Sequence, residues 1–119
     1  MKRSWRLSAL LVLCLACSKP LPQLDGIDLD AWKDDYEGCQ NKRIGYTDAL
    51  KDQKDKLKGL SERDLVSLLG RPNRNDLSEH HEKFYSYFIG CSKDSASMIL
   101  EVRFNATGVS KEVTFIDIN

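Results

Sequence analysis

Residues 98–115 read MILEVRFNATGVSKEVTF, and the alternation within them decides the fold. Met98, Leu100, Val102 and Phe104 alternate with Ile99, Glu101 and Arg103, the period of a strand with one buried face. Asn105-Ala106-Thr107-Gly108 interrupts the run with turn chemistry, Gly108 being suited to a positive φ. Val109, Val113 and Phe115 then resume the apolar side, with Ser110, Glu112 and Thr114 directed outward. So short a link between two alternating runs predicts an antiparallel hairpin.

Working outward, Lys83 to Ile89 (KFYSYFI) alternates as well, with Phe84, Ser86 and Phe88 on one face and Tyr85, Tyr87 and Ile89 on the other. Residues 90–96 (GCSKDSA) join this run to the hairpin, so a three-stranded meander is the simplest arrangement. Further upstream the period changes. Trp32, Tyr36, Cys39, Tyr46, Leu50 and Leu57 fall on one face of a 3.6-residue repeat, which predicts a helix from Asp28 to about Lys58. Gly38 and Gly45, each costing about 1 kcal/mol relative to alanine, mark a bend or a close approach within it. The charge-dense stretch from Asp48 to Lys58 (DALKDQKDKLK) reads as a solvated helix face. Gly59 stops this helix, and Ser61 with Asp64 three positions on begins a second one carrying Leu65, Val66, Leu68 and Leu69. Gly70-Arg71-Pro72 ends it. One face of the meander must be covered, and the two helices are the candidates. The expected fold is therefore α+β, with two N-terminal helices packed on a three-stranded antiparallel meander (ααβββ).

The 119 residues carry 18 positive and 18 negative charges, but the balance is uneven along the chain. Lys2, Arg3 and Arg6 precede Leu7 to Ala16 (LSALLVLCLA), an apolar stretch without a charge. A helix of that length reaches about 15 Å, half the hydrocarbon thickness of a bilayer, so it suits the apolar core of a signal peptide and not a membrane span. The stretch ends at Ala16-Cys17, followed by the polar Ser18-Lys19-Pro20. This ending resembles the lipobox of bacterial lipoproteins, with Cys17 as the acceptor of lipid and Cys14 in place of the commoner leucine. Multiple acyl chains at about 0.8 kcal/mol per buried CH2 would hold such a protein stably at a membrane. The expected organisation is a signal peptide over 1–16, a lipidated N-terminus and tether over 17–27, and a single domain over 28–119. Beyond residue 16 there are 15 positive and 18 negative charges, which argues against a nucleic-acid footprint.

Of four cysteines, Cys14 leaves with the signal and Cys17 carries lipid, so Cys39 and Cys91 remain. Export places them in an oxidising compartment, where an even pair closes into a disulfide. Two free buried thiols, or a metal site with His80 and His81, are the alternatives. The cysteine–histidine spacing matches no zinc pattern, and adjacent histidines on extended backbone point apart, so no metal is expected.

Leu60-Ser61, Asp64-Leu65-Val66 and Leu69-Gly70-Arg71-Pro72, with the strand Phe84-Tyr85-Ser86-Tyr87, form a recognisable series. Leu100 to Gly108 (LEVRFNATG) and Val109 continue it. Over roughly residues 59–115 the chain resembles the BamE/SmpA/OmlA-like family of small outer-membrane lipoproteins. The resemblance implies two helices followed by a three-stranded antiparallel sheet. It also implies a position on the periplasmic side of the outer membrane, where some members are accessory subunits of the machine that assembles β-barrel proteins. The long first helix with Cys39, and the loop with Cys91, depart from that pattern.

No Gly-rich phosphate loop or nucleophile–histidine–acid set is visible, and His80-His81 sit together in a polar stretch, so neither catalysis nor a cofactor is expected. Asn105-Ala106-Thr107 matches a glycosylation sequon but reads as the hairpin turn. The expected role is a scaffold or interaction module with a protein partner, its candidate surface the aromatic face Tyr85, Tyr87 and Ile89. That same face is alternatively the sheet core beneath the helices. A small-molecule or inhibitor-type binding module on the same fold is the competing expectation, and a concave apolar pocket would favour it.

Overall fold

The computed structural model describes residues 20–93 and 95–118, so Cys17 and the leader, on which the lipid anchor rests, lie outside the described residues. The alternation of residues 98–115 becomes two strands, β3 (Ser95–Phe104) and β4 (Ser110–Asp117), which follow β1 (Arg74–Leu77) and β2 (Lys83–Ser92) along the chain. Between β3 and β4 the Asn105 side chain accepts from the N–H groups of Thr107 and Val109 at 3.1 and 3.0 Å, and Gly108 takes φ +81°. An asparagine that bonds its own turn in this way fixes the loop that sets the register.

The sheet has four strands in the order β1-β2-β3-β4, every neighbour antiparallel. The three-stranded ααβββ arrangement expected from the sequence is therefore incorrect. The added strand, β1, has the sequence RNDL, and all four of its residues are exposed. An edge strand that buries neither face carries no alternation to announce it.

The helical region also differs. In place of one helix over 28–58 there are α1 (Leu29–Asp34), α2 (Lys42–Gly45) and α3 (Thr47–Asp52), followed by a 3-10 turn over Lys54–Leu57. Asp28 caps α1 by accepting from the N–H groups of Asp30 and Ala31. The chain leaves α1 because the buried Asp35 carboxylate collects the backbone N–H groups of Gln40, Lys42 and Arg43 at 2.9–3.1 Å. Asn41, at φ +62°, turns the chain back into α2. Each short piece still obeys the helical period, which is how the break escaped the sequence pattern.

The second helix, α4 (Glu62–Leu69), begins at Ser61, whose Oγ accepts from Asp64 N–H at 3.1 Å. Its C-terminal carbonyls would be orphaned in a buried setting. Trp32 Nε1 donates to Leu69 O at 3.0 Å, Tyr87 Oη to Gly70 O at 2.8 Å, and Lys33 Nζ to Ser67 O at 3.1 Å. The core lies between these helices and one sheet face: Trp32, Leu50, Leu57, Leu65 and Leu69 against Tyr87, Ile89, Leu100, Val102 and Phe104.

Two boundaries move. The segment read as a tether through Ile27 is docked from Gln23 onward: Leu24 is buried in the core, and Gln53 grips the Asp25 backbone through both its amide atoms at 2.7 Å. Ser110, read as outward-facing, is buried. Phe104 pairs with Ser110 and Arg103 with Glu112, so Lys111 is an extra residue that switches the strand's faces. Ser110 Oγ donates to Leu57 O at 2.6 Å and accepts from Leu60 N–H at 2.9 Å, joining the 3-10 turn to the start of β4.

Candidate interaction site

Tyr85, Tyr87 and Ile89, the aromatic face expected to meet a partner, point at the helices and are buried. Of the two readings of this face it is the sheet core and not a partner surface, because α1 and α4 land on it. The Tyr85 hydroxyl donates to Glu62 Oε1 at 2.7 Å. Burial, reinforced by the adjacent Glu62 carboxylate, pushes the Tyr85 phenol up to about 12. Burial raises Tyr87 as well. Glu62 is held below the usual carboxylate range, first by the Tyr85 bond and then by Lys83, whose Nζ lies 3.2 Å away.

The surfaces left open are the other sheet face and the two sheet edges, β1 and β4. On the helix-free face, Ile99 is buried without joining the main core, shielded by its cross-strand partners Phe88 and Ile116. Beside this apolar row Arg103 of β3 reaches Glu82, in the turn before β2, at 2.7 Å and Glu112 of β4 at 3.6 Å.

The edge that borders a groove is β4, whose start is paired at Ser110 with Gly59 and Leu60 and whose remainder is open. Ile118 N–H bonds Ser97 O across to β3. Since successive residues of an antiparallel edge strand alternate in where their backbone groups point, Val113 and Phe115 present their N–H and C=O to the open side. Among the described residues none of these groups has a partner outside the sheet. Alongside runs a groove of about 580 Å³, lined by Val113, Thr114, Phe115 and Glu112 on one bank and Lys51, Lys54 and Lys58 on the other.

These lysines recur at steps of three and four, which puts them on one side of the α3 and 3-10 segment. Lys51 Nζ lies 5.5 Å from the centre of the Phe115 ring, a cation–π distance. Lys58 pairs with Asp55 at 3.0 Å, while Lys51 and Lys54 have no ion pair among the described residues. Gln53 and Lys56, on the opposite side, hold the strap at Gln23 and Asp25. Sequence reading treated this stretch as plain solvated surface. The stretch itself carries no signal of a site beyond the three- and four-residue steps of its lysines, because the end strand they face is fixed by the sheet order.

A disulfide joins Cys39 to Cys91 with Cα atoms 4.8 Å apart, tying the turn after α1 to the end of β2. Beneath it the buried Arg43 donates through Nε to Trp32 O at 2.8 Å and through Nη1 to Phe88 O at 2.9 Å, its guanidinium 4.7 Å from the centre of the Trp32 ring. Burial lowers the pKa of Arg43, with the Asp35 charge acting in the opposite direction. For Asp35, desolvation raises the carboxyl, but the three backbone N–H bonds outweigh it and hold it below its ordinary value. Both groups are consumed by architecture. His80 and His81 lie in the exposed turn between β1 and β2, away from the disulfide, and no cluster of three metal-ligating side chains occurs among the described residues. No helix of the described residues is long and apolar enough to cross a membrane.

The chain matches no protein-family model, no curated protein and no solved structure, so no residue role comes to it from a relative.

Proposed function

We propose that the protein is a lipid-anchored interaction module on the periplasmic side of the outer membrane, held through Cys17 and engaging a protein partner. The basic and apolar leader ending in Ala16-Cys17 supports export and lipidation. The resemblance of residues 59–115 to the BamE/SmpA/OmlA-like lipoproteins supports a setting in envelope or outer-membrane protein assembly. The observation that carries the interaction role is the open β4 edge, with unpaired backbone groups beside a charged groove. Monomeric proteins usually cover or blunt such edges, because they pair readily with other chains. The groove is lined mainly by charged and polar side chains and runs beside a strand edge, which suits an extended partner better than an enclosed apolar ligand.

The test is site-specific photocrosslinking in cells from Thr114 on the β4 edge and Glu101 on the helix-free face, with intact-mass analysis of the purified protein. A lipid mass on Cys17 and a discrete membrane-fraction adduct, both lost in Cys17→Ala, are expected. An unmodified Cys17 overturns the anchor, and the absence of adducts from both positions overturns the interaction module.

A further inference from the structure

We infer that the β4 groove receives an extended, acidic peptide segment of a partner protein, which adds to the sheet as a fifth strand. The inference deepens the interaction-module reading and rests on it. Three observations meet at this place. Val113 and Phe115 offer backbone donors and acceptors at strand spacing, the pattern that an added strand satisfies. Half-buried Phe115 and the buried Val113 give the groove an apolar floor for alternate side chains.

Charge then selects the occupant. Lys51, Lys54 and Lys58 line the opposite bank, in a chain that beyond residue 16 carries more acidic than basic residues. Of the nearby carboxylates, Glu112 is engaged by Arg103 and Asp55 by Lys58, which leaves Lys51 and Lys54 without an ion pair among the described residues. A strand lying on β4 would direct alternate side chains toward the lysine bank, so carboxylates at every second position would meet them. Complementarity of this kind acts chiefly on specificity and on-rate, and it weakens with salt. An anionic membrane surface would also meet the lysines, but a headgroup layer cannot pair with the backbone of β4.

The experiment uses a capped nine-residue peptide of alternating valine and glutamate, titrated into the isotope-labelled, folded protein and followed by NMR. Shift changes and slowed hydrogen exchange at the Val113 and Phe115 amides are expected. Affinity should fall at least tenfold in the surface variant K51E/K54E/K58E, whose fold is checked by its melting curve. The same peptide N-methylated at alternate residues, on the edge facing β4, should fail to bind, and a valine–lysine peptide should bind at least tenfold more weakly.

Equal binding of the N-methylated peptide overturns strand addition, and equal binding of the lysine peptide overturns the acidic occupant. Anionic phosphatidylglycerol vesicles that shift the lysines while the peptide does nothing transfer the site to a membrane and overturn the inference. So does self-association through β4 in place of peptide binding. If the peptide fails while Thr114 or Glu101 still crosslinks in cells, the interaction module stands and this occupant falls. If all fail, both fall.

Discussion

Arg43 Nη1 donates to the carbonyl oxygen of Phe88 at 2.9 Å, joining the helical layer to strand β2 across 45 positions of sequence. The same guanidinium serves Trp32 O, Tyr36 O and the Asn73 side chain. Only a planar fork of fixed donors can answer acceptors in so many directions at once. Arg43→Ala leaves buried carbonyls without partners and is expected to cost about 3–5 kcal/mol. Arg43→Lys keeps the charge but cannot reproduce the fork, and should recover less than half of that loss. Urea unfolding midpoints at unchanged slope measure both, and a near-neutral lysine variant would contradict the assignment.

The disulfide acts on the same junction. Cys39 and Cys91 are separated by 52 positions, and on the chain-entropy model closing a loop of that size is worth about 4 kcal/mol. The Cys39→Ser/Cys91→Ser variant should lose that amount. Amide exchange should accelerate most at the Ser92 end of β2 and in the turn before α2. A reduced protein as stable as the oxidised one would show that Arg43 alone holds the junction.

Two glycines that look alike in sequence should part company on substitution. Gly38 has φ +76°, and a Cβ there would sit 2.8 Å from Phe88 O. Gly38→Ala is expected to destabilise by about 1–3 kcal/mol through backbone strain and the clash. Gly45 lies at the end of α2 with nothing within 4 Å of an added Cβ. Gly45→Ala should be neutral or gain up to about 1 kcal/mol. Thermal melts of the two variants decide, and matching effects would contradict the distinction.

The contrast also marks what could be read from the sequence. Strands β2 to β4 were legible because each buries one face, and burial on one face writes an alternation into the chain. Strand β1 buries neither face, so RNDL looked like a loop. The break after α1 was hidden for another reason. The Asp35 carboxylate that gathers nearby N–H groups leaves no periodic mark, and the contacts that hold the break are with remote backbone, Gly38 against Phe88 and Arg43 against Phe88, while Trp32, Leu50 and Leu57 satisfy the helical period from separate short segments. The β4 groove was least legible of all. Lys51, Lys54 and Lys58 become a site only because β4 is the last strand in the sheet order, and no local pattern encodes that position. Sequence alternation correctly separated Tyr85 and Tyr87 from Phe84 and Phe88, but which face the helices cover is decided by packing, by Trp32 meeting the Tyr87 ring and the Tyr87 hydroxyl reaching Gly70 O.

The Tyr85–Glu62 bond makes stability depend on pH at both ends of the scale. Glu62 titrates below its ordinary value of 4.5, so its contribution is present above that value and is lost as pH falls through its lowered folded value. Tyr85 is raised from 10.0 to about 12, so the protonated phenol favours folding below pH 10 and that advantage disappears as pH rises toward 12. Tyr85→Phe removes the hydroxyl that ties the two groups together. Glu62 is part-exposed, so the loss at pH 7 should sit near the lower end for a bond to a charged acceptor, about 1–2 kcal/mol. More tellingly, the variant should show a flatter stability profile below pH 4.5 and a smaller decline between pH 10 and 11, the remaining alkaline decline coming from Tyr87. Denaturant midpoints measured across both windows test this. A Tyr85→Phe protein whose pH profile merely parallels the wild type would show that the bond is geometrically present but energetically silent.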